Sequence, residues 1–193
     1  MTPTSPPPGP PEGPLPTEVI AFWFDERVRA LWFASTPAFD QEVRERFEST
    51  WRAARDGRLN AWEAPAEGAL ALVLVLDQFP LNIYRGRPEA FATEARARAV
   101  ADRAIALGFD RMLDDEQRGF LYLPFMHSES LADQDRSVAL YEAAGLTEGL
   151  RWARHHRDIV RRFGRFPHRN AILGRESTSA EVAWLASEEG YRG

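Results

Sequence analysis

Residues 68–79 read GALALVLVLDQF, and the fold class turns on this run. It is apolar on every side as far as Asp77. Its Leu–Val alternation would suit a buried strand, but the chain offers no second strand-like run to pair with it. A lone strand leaves its backbone N–H and C=O groups unsatisfied. A helix satisfies them internally, so 68–79 is predicted to be the central helix of an all-α protein. Pro80 is expected to end or kink it, because the proline ring clashes with the carbonyl four residues earlier.

Start and stop signals on either side agree with that class. Thr17 is placed to cap a first helix carrying Val19, Ile20, Trp23 and Phe24. Thr36 and Pro37 supply a cap and a first-turn proline, after which Phe39, Val43, Phe47 and Trp51 recur every four residues until Gly57. Beyond the centre, a helix is predicted from Thr93 to Leu107, closed by Gly108. Asp114 and Gln117 have capping-box spacing ahead of Phe120–Leu123. Pro124 is expected to open a long helix reaching about Ala144, and Thr147 to cap another ending near Gly164. A short helix is expected at Pro167, and Thr178 with Glu181 forms a second capping box. About eight or nine helices with short connections predict antiparallel helix pairs. There is no fixed-period repeat, and the usual tetratricopeptide signature residues are missing.

The 193 residues suit one domain, expected over 17–193 behind a Pro-rich, disordered tail at 1–16. That tail has neither the basic start nor the apolar centre of an export signal. The longest apolar stretch, Ala69–Leu76, is too short to span a bilayer. There are no cysteines, which excludes disulfides and thiolate chemistry. A cytoplasmic protein with no membrane contact is the expectation. The net charge of −5 argues against nucleic acid as a partner. Lys is absent, so all 24 basic residues are Arg. They are unevenly placed: 110–148 is acid-rich, whereas 151–175 carries eight Arg and one acid, Asp158. Two oppositely charged segments packing together would account for this.

Polar residues at apolar positions fall in three clusters. If Pro124 starts a helix, His127, Leu131, Gln134, Val138 and Tyr141 share one stripe, with Ser130 on the same side. Hydrogen-bonding side chains turned inward must find partners or cost about 1–3 kcal/mol each. Glu129 would lie about 200° away from His127, which disfavours a shared metal ion, and no metal or cofactor is expected. At the end of the central helix, Asp77 and Gln78 follow eight apolar residues, and Gln78, Asn82 and Arg85 share a face if the helical path resumes. In the third cluster, Arg165, His168, Arg169 and Asn170 crowd the helix start at Pro167, where a carboxylate or phosphate is favoured. An acid of the same chain, such as Asp77, Glu129 or Asp133, would serve equally. His156 lies on the stripe of Trp152, Ile159 and Phe163 and reads as a satisfied core histidine, with His155 on the polar side. No phosphate loop, nucleophile elbow or H-E-x-x-H motif occurs.

Four segments, LDQFPLNIYRG at 76–86, AFAT at 90–93, FLYLPFMHSESLADQDRSVALY at 120–141 and FGRFPHRNAILGR at 163–175, resemble a bacterial family catalogued as domain of unknown function 924. FWF at 22–24 and the Trp32–Phe33 pair fit as well. The resemblance covers nearly everything after the Pro-rich tail. It implies an all-helical fold similar to tetratricopeptide superhelices and implies no activity. The family motif commonly reads DQFPRN and often has Asp at the position of Ser130. Here Leu81 stands in the arginine's place.

Two functions are compatible with these residues. In one, the clusters meet in a pocket for a small polar or anionic molecule. His127 is then the acid–base group, Asp77 or Glu129 orients it, and Arg85, Arg165 and Arg169 hold negative charge, with Gln78, Asn82, Gln134, His168 and Asn170 lining the rest. In the other, a helical scaffold binds a peptide or protein partner, and the clusters are internal networks that fix helix register.

Overall fold

In a computed structural model of the chain, residues 13–188 and 190 are described. They form nine helices and no strand, in agreement with the all-α expectation. These are α1 (Pro16–Trp23), α2 (Glu26–Arg29), α3 (Pro37–Arg55), α4 (Ala66–Ile83), α5 (Glu94–Ala106), α6 (Asp115–Met126), α7 (Leu131–Ala143), α8 (Thr147–Phe163) and α9 (Ser179–Leu185). Residues 1–12, most of the Pro-rich tail, lie outside the described residues. Helix α1 starts one residue earlier than Thr17, at Pro16, because a proline costs nothing at a position whose N–H has no helical partner.

Helix α4 is the axis of the fold, packed by α1, α3, α5 and α6. By length and composition it could cross a membrane, but 89% of it is buried inside the protein. Trp23, Phe47 and Trp51 are buried around it, and its own Phe79 is buried against Phe47, each such side chain contributing about 1.5–3 kcal/mol. Gly68 allows its tight entry, since a Cβ there would lie 2.3 Å from the Trp62 carbonyl oxygen.

Pro80 does not end this helix, contrary to the expectation from the sequence. Just before it, Leu74–Gln78 widen into a single π turn, with the Phe79 N–H donating to the Leu74 carbonyl. The carbonyl that Pro80 cannot pair, Leu76, instead accepts from Thr93 Oγ at 2.5 Å, and Thr93 Oγ accepts in turn from Trp51 Nε1 at 3.1 Å. One buried hydroxyl therefore repairs the proline defect, and the chain continues helically to Ile83, whose carbonyl accepts from Arg44.

Pro124 also lies inside a helix rather than opening one. Helix α6 runs from Asp115, capped by the Asp114 side chain, through Pro124 to Met126. The chain then turns at 127–130 before α7 begins. The predicted stripe from His127 to Tyr141 is thus broken. His127 is the residue that closes α6, Ser130 is exposed, and only Gln134, Val138 and Tyr141 share the buried face of α7.

Helices α7 and α8 pack against each other, with Arg154 on Glu142 at 3.0 Å and Arg157 near Asp135 at 3.9 Å. These pairs are the packing of acidic on basic segments that the uneven charge implied. After Gly164, in the left-handed conformation at φ 71°, the chain turns back over α8. Ile159, Val160, Phe166 and Trp184 make a small apolar cluster separate from the main core. The capping box at Thr178 and Glu181 is present.

Candidate functional site

The π turn directs two adjacent polar side chains into the protein. Asp77, 1% exposed, receives the Gln78 amide on Oδ2 at 2.6 Å. His127 Nδ1, arriving from the end of α6, lies 2.9 Å from the same oxygen. Its other carboxylate oxygen, Oδ1, is buried without a hydrogen-bond partner among the described residues. The His127 side chain keeps 17% of its surface exposed, and its Nδ1 faces the acid. Burial disfavours the imidazolium, but Asp77, and more weakly Glu94, outweigh burial and hold the His127 pKa above its usual value.

Glu94 at the start of α5 is the second acid of this array. Desolvation pushes its pKa up, opposed by the positive charge of Arg169. Arg169, brought in by the short helical turn Pro167–Arg169, pairs with it through a single nitrogen, Nη1, at 3.0 and 3.2 Å from the two oxygens. The guanidinium lies over the rings of Phe91 and Phe166, 4.5 and 4.7 Å from their centroids, and its side chain is 7% exposed. His168 packs on Phe166, and burial together with Arg169 lowers its pKa to about 4. Asp77 with His127 and Glu94 with Arg169 thus make two buried ion pairs, and the charges of each pair act on the groups of the other.

Other residues expected at the site go elsewhere. Glu129 does not orient His127. It accepts from the Phe166 N–H at 2.8 Å and from both terminal nitrogens of Arg175 at 2.6 and 2.9 Å. These contacts outweigh burial and hold the Glu129 carboxylate below its ordinary range. Asn170 receives Arg175 Nε and donates to Ser177 in the same network. Arg165 is bound by both oxygens of Glu181 at 2.7 and 2.9 Å, and that ion pair takes the Glu181 pKa down to about 2. Asn82 and Arg85 converge instead on Asp40 of α3, at 2.8 and 2.6 Å. Gln134 does not line the array either. Its amide donates to the Met126 and Ser128 carbonyls at 2.6 and 2.7 Å, clamping the turn that carries His127. His156 is buried, with Nδ1 2.9 Å from the Trp152 carbonyl, and its pKa falls to about 3 through desolvation.

The expected meeting of three clusters therefore reduces to Asp77, Gln78, His127 and Arg169, with His168 beside them. Sequence reasoning missed Glu94 and Phe91. An acid directly after Thr93 reads as ordinary helix-start chemistry; its one distinguishing signal is that it abuts the AFAT segment.

A family model described as bacterial protein of unknown function (DUF924) matches residues 19–189. The chain belongs to this family. Its DUF924 fold is similar to the solved structure of a protein of unknown function from Agrobacterium tumefaciens, with 43% identity, a TM-score of 0.84, and coverage of 89% of this chain and 96% of that one. No curated protein is significantly similar to it. In this DUF924 member, Leu81 is half-buried against the core, and the exposed Ser130 gives its N–H to Ser128. Neither residue bonds to the Asp77–His127 array.

Proposed function

We propose that the array of Asp77, Glu94, His127 and Arg169 binds a small polar or anionic molecule, with His127 as the group that gives or takes a proton there. The observation that carries this reading is the 2.9 Å pair between a fully buried carboxylate and an imidazole that keeps 17% of its side-chain surface exposed. Burying two charges costs several kcal/mol per ion. At this array Asp77 Oδ1, Glu94 Oε1 and Arg169 Nε are buried with no hydrogen-bond partner among the described residues. Perturbed ionisable groups gathered this way are the usual mark of a functional site. A cytoplasmic setting and a tetratricopeptide-like stacking of the helix pairs are part of the same proposal.

Binding can be tested by thermal unfolding of the full chain with acetate, sulfate and inorganic phosphate. A probe at a hundred times its dissociation constant should stabilise the protein by about 2.7 kcal/mol. Arg169→Ala should abolish that gain. Absence of any shift with all three probes overturns the reading.

A second reading, a helical scaffold for a peptide or protein, draws on Phe33, which is 85% exposed beside the aromatic cluster of Trp32 and Phe120. Under it, alanine at Phe33 would weaken partner capture and leave anion responses unchanged.

A further inference from the structure

Arg169 is held as though for a better partner than the one it has. A guanidinium normally meets a carboxylate or phosphate as a fork, with two nitrogens on two oxygens. Glu94 accepts a hydrogen bond from Nη1 on Oε2 only, its Oε1 lying 3.0 Å from the same nitrogen without a hydrogen bond, while the buried Nε has no hydrogen-bond partner among the described residues. The rings of Phe91 and Phe166 both pack on the guanidinium, and the side chain is 7% exposed, so it is pre-organised and little rotamer entropy remains to be lost on binding. Glu94 feels the charges of Asp77 from the π turn and His127 from the end of α6 besides that of its partner Arg169 from the C-terminal segment. The charge of Asp77 disfavours a second carboxylate here, which works against the ion pair of Glu94 with Arg169.

We propose that Glu94 is an internal stand-in for the ligand, and that the ligand is an oxyanion, a carboxylate or phosphate, that displaces Glu94 from Arg169. This rests on the binding role proposed above and names its ligand class. Once displaced, Glu94 faces Asp77 and the incoming anion without its guanidinium. It takes one proton from solvent and becomes the neutral acid, so that oxyanion binding and proton uptake are coupled. Desolvation already moves Glu94 in that direction.

The test compares wild type with Glu94→Gln, which keeps the shape and removes the competing charge. Calorimetric titration with sulfate, acetate and inorganic phosphate reads the affinity and separates the two oxyanion sources. Sulfate does not titrate near neutrality, so it also reports the protein's own proton uptake in buffers of different ionisation enthalpy. The variant should bind the preferred oxyanion about ten-fold more tightly, as expected when an internal competitor is removed. Wild type should take up more protons than the variant on binding sulfate; any uptake remaining in the variant belongs to His127. Equal or weaker oxyanion binding by a folded Glu94→Gln protein overturns the proposal while leaving the binding site itself intact. If Glu94→Gln fails to fold, the uptake measured for wild type and for His127→Gln decides instead: uptake that vanishes with the histidine rules Glu94 out. Failure of all three probes with both proteins rejects the site as a whole.

Discussion

His127 and Glu129 stand two residues apart in one turn, yet they belong to networks of opposite character. Around Glu129 the donors and acceptors match: both oxygens are used, Arg175 spends all three nitrogens on Glu129, Asn170 and the Phe166 carbonyl, and Asn170 passes the chain on to Ser177. Around His127 they do not. Asp77 keeps one buried oxygen unused, and Arg169 meets Glu94 through one nitrogen. A saturated network has nothing left to offer a ligand and acts to dock the C-terminal segment on the turn. An unsaturated one stores interactions that another molecule can complete. The difference is the reason the proposed binding role falls on the second network and not on the first.

The largest expected effect comes from breaking the saturated side. Glu129→Ala strands the Phe166 N–H and the Arg175 guanidinium together. Loss of one partner of a buried pair costs about 3–5 kcal/mol; with Glu129 and Arg175 each about a quarter exposed, solvent screening brings the expectation to about 2–3 kcal/mol. Denaturant unfolding measures this directly. A change below about 0.5 kcal/mol would show that the network is not what holds residues 164–177 in place.

A smaller effect, and one of different kind, is expected at the unsaturated side. Asp77→Asn should change stability at neutral pH by less than about 1 kcal/mol, since it removes a buried charge along with the pairing that charge makes. Its clear signature is in titration. His127 is raised, so its contribution to stability is complete below the ordinary histidine value and is lost as pH rises through the higher folded pKa. His156 and His168 have the opposite sign: depressed to about 3 and about 4, they cost stability as pH falls below the ordinary value, because the unfolded chain takes up protons first. Histidine resonances followed by NMR should show one ring titrating above the ordinary value and two below. Asp77→Asn should bring only the high one down. A high midpoint that survives the substitution would remove Asp77 as its cause.

These networks were partly legible in the sequence, and the gaps have physical reasons. The helices around α4 followed from periodicity, caps and glycines, because those signals are local. Asp77 stood out since an acid directly after eight apolar residues must be buried. The two prolines misled for a common reason: whether a helix survives a proline depends on who takes the orphaned carbonyl. At Leu76 that partner is Thr93, seventeen residues on. With Pro124 taken as a start, His127, Ser130 and Gln134 fell on one stripe, whereas the turn at 127–130 sends them three ways. Partner choice is a tertiary property, so the sequence identified Arg165, Arg169, Asn82 and Arg85 as interacting residues but could not pair them with Glu181, Glu94 and Asp40.

The smallest effect belongs to Arg85, where the comparison is sharpest for being nearly null. Its side chain is 56% exposed, and Asp40 also accepts from Asn82 and Ser35. Removing the guanidinium therefore leaves the Asp40 carboxylate with two donors, and water reaches what Arg85 vacates. Arg85→Ala should cost about 0.5 kcal/mol, the range of an exposed ion pair, and less at high salt. It should leave any oxyanion response untouched, because Arg85 belongs to the Asp40 network and Arg169 to the array. Loss of that response in Arg85→Ala, with stability preserved, would extend the binding surface to the α3–α4 face and undo the separation between networks that hold the fold and the one left open.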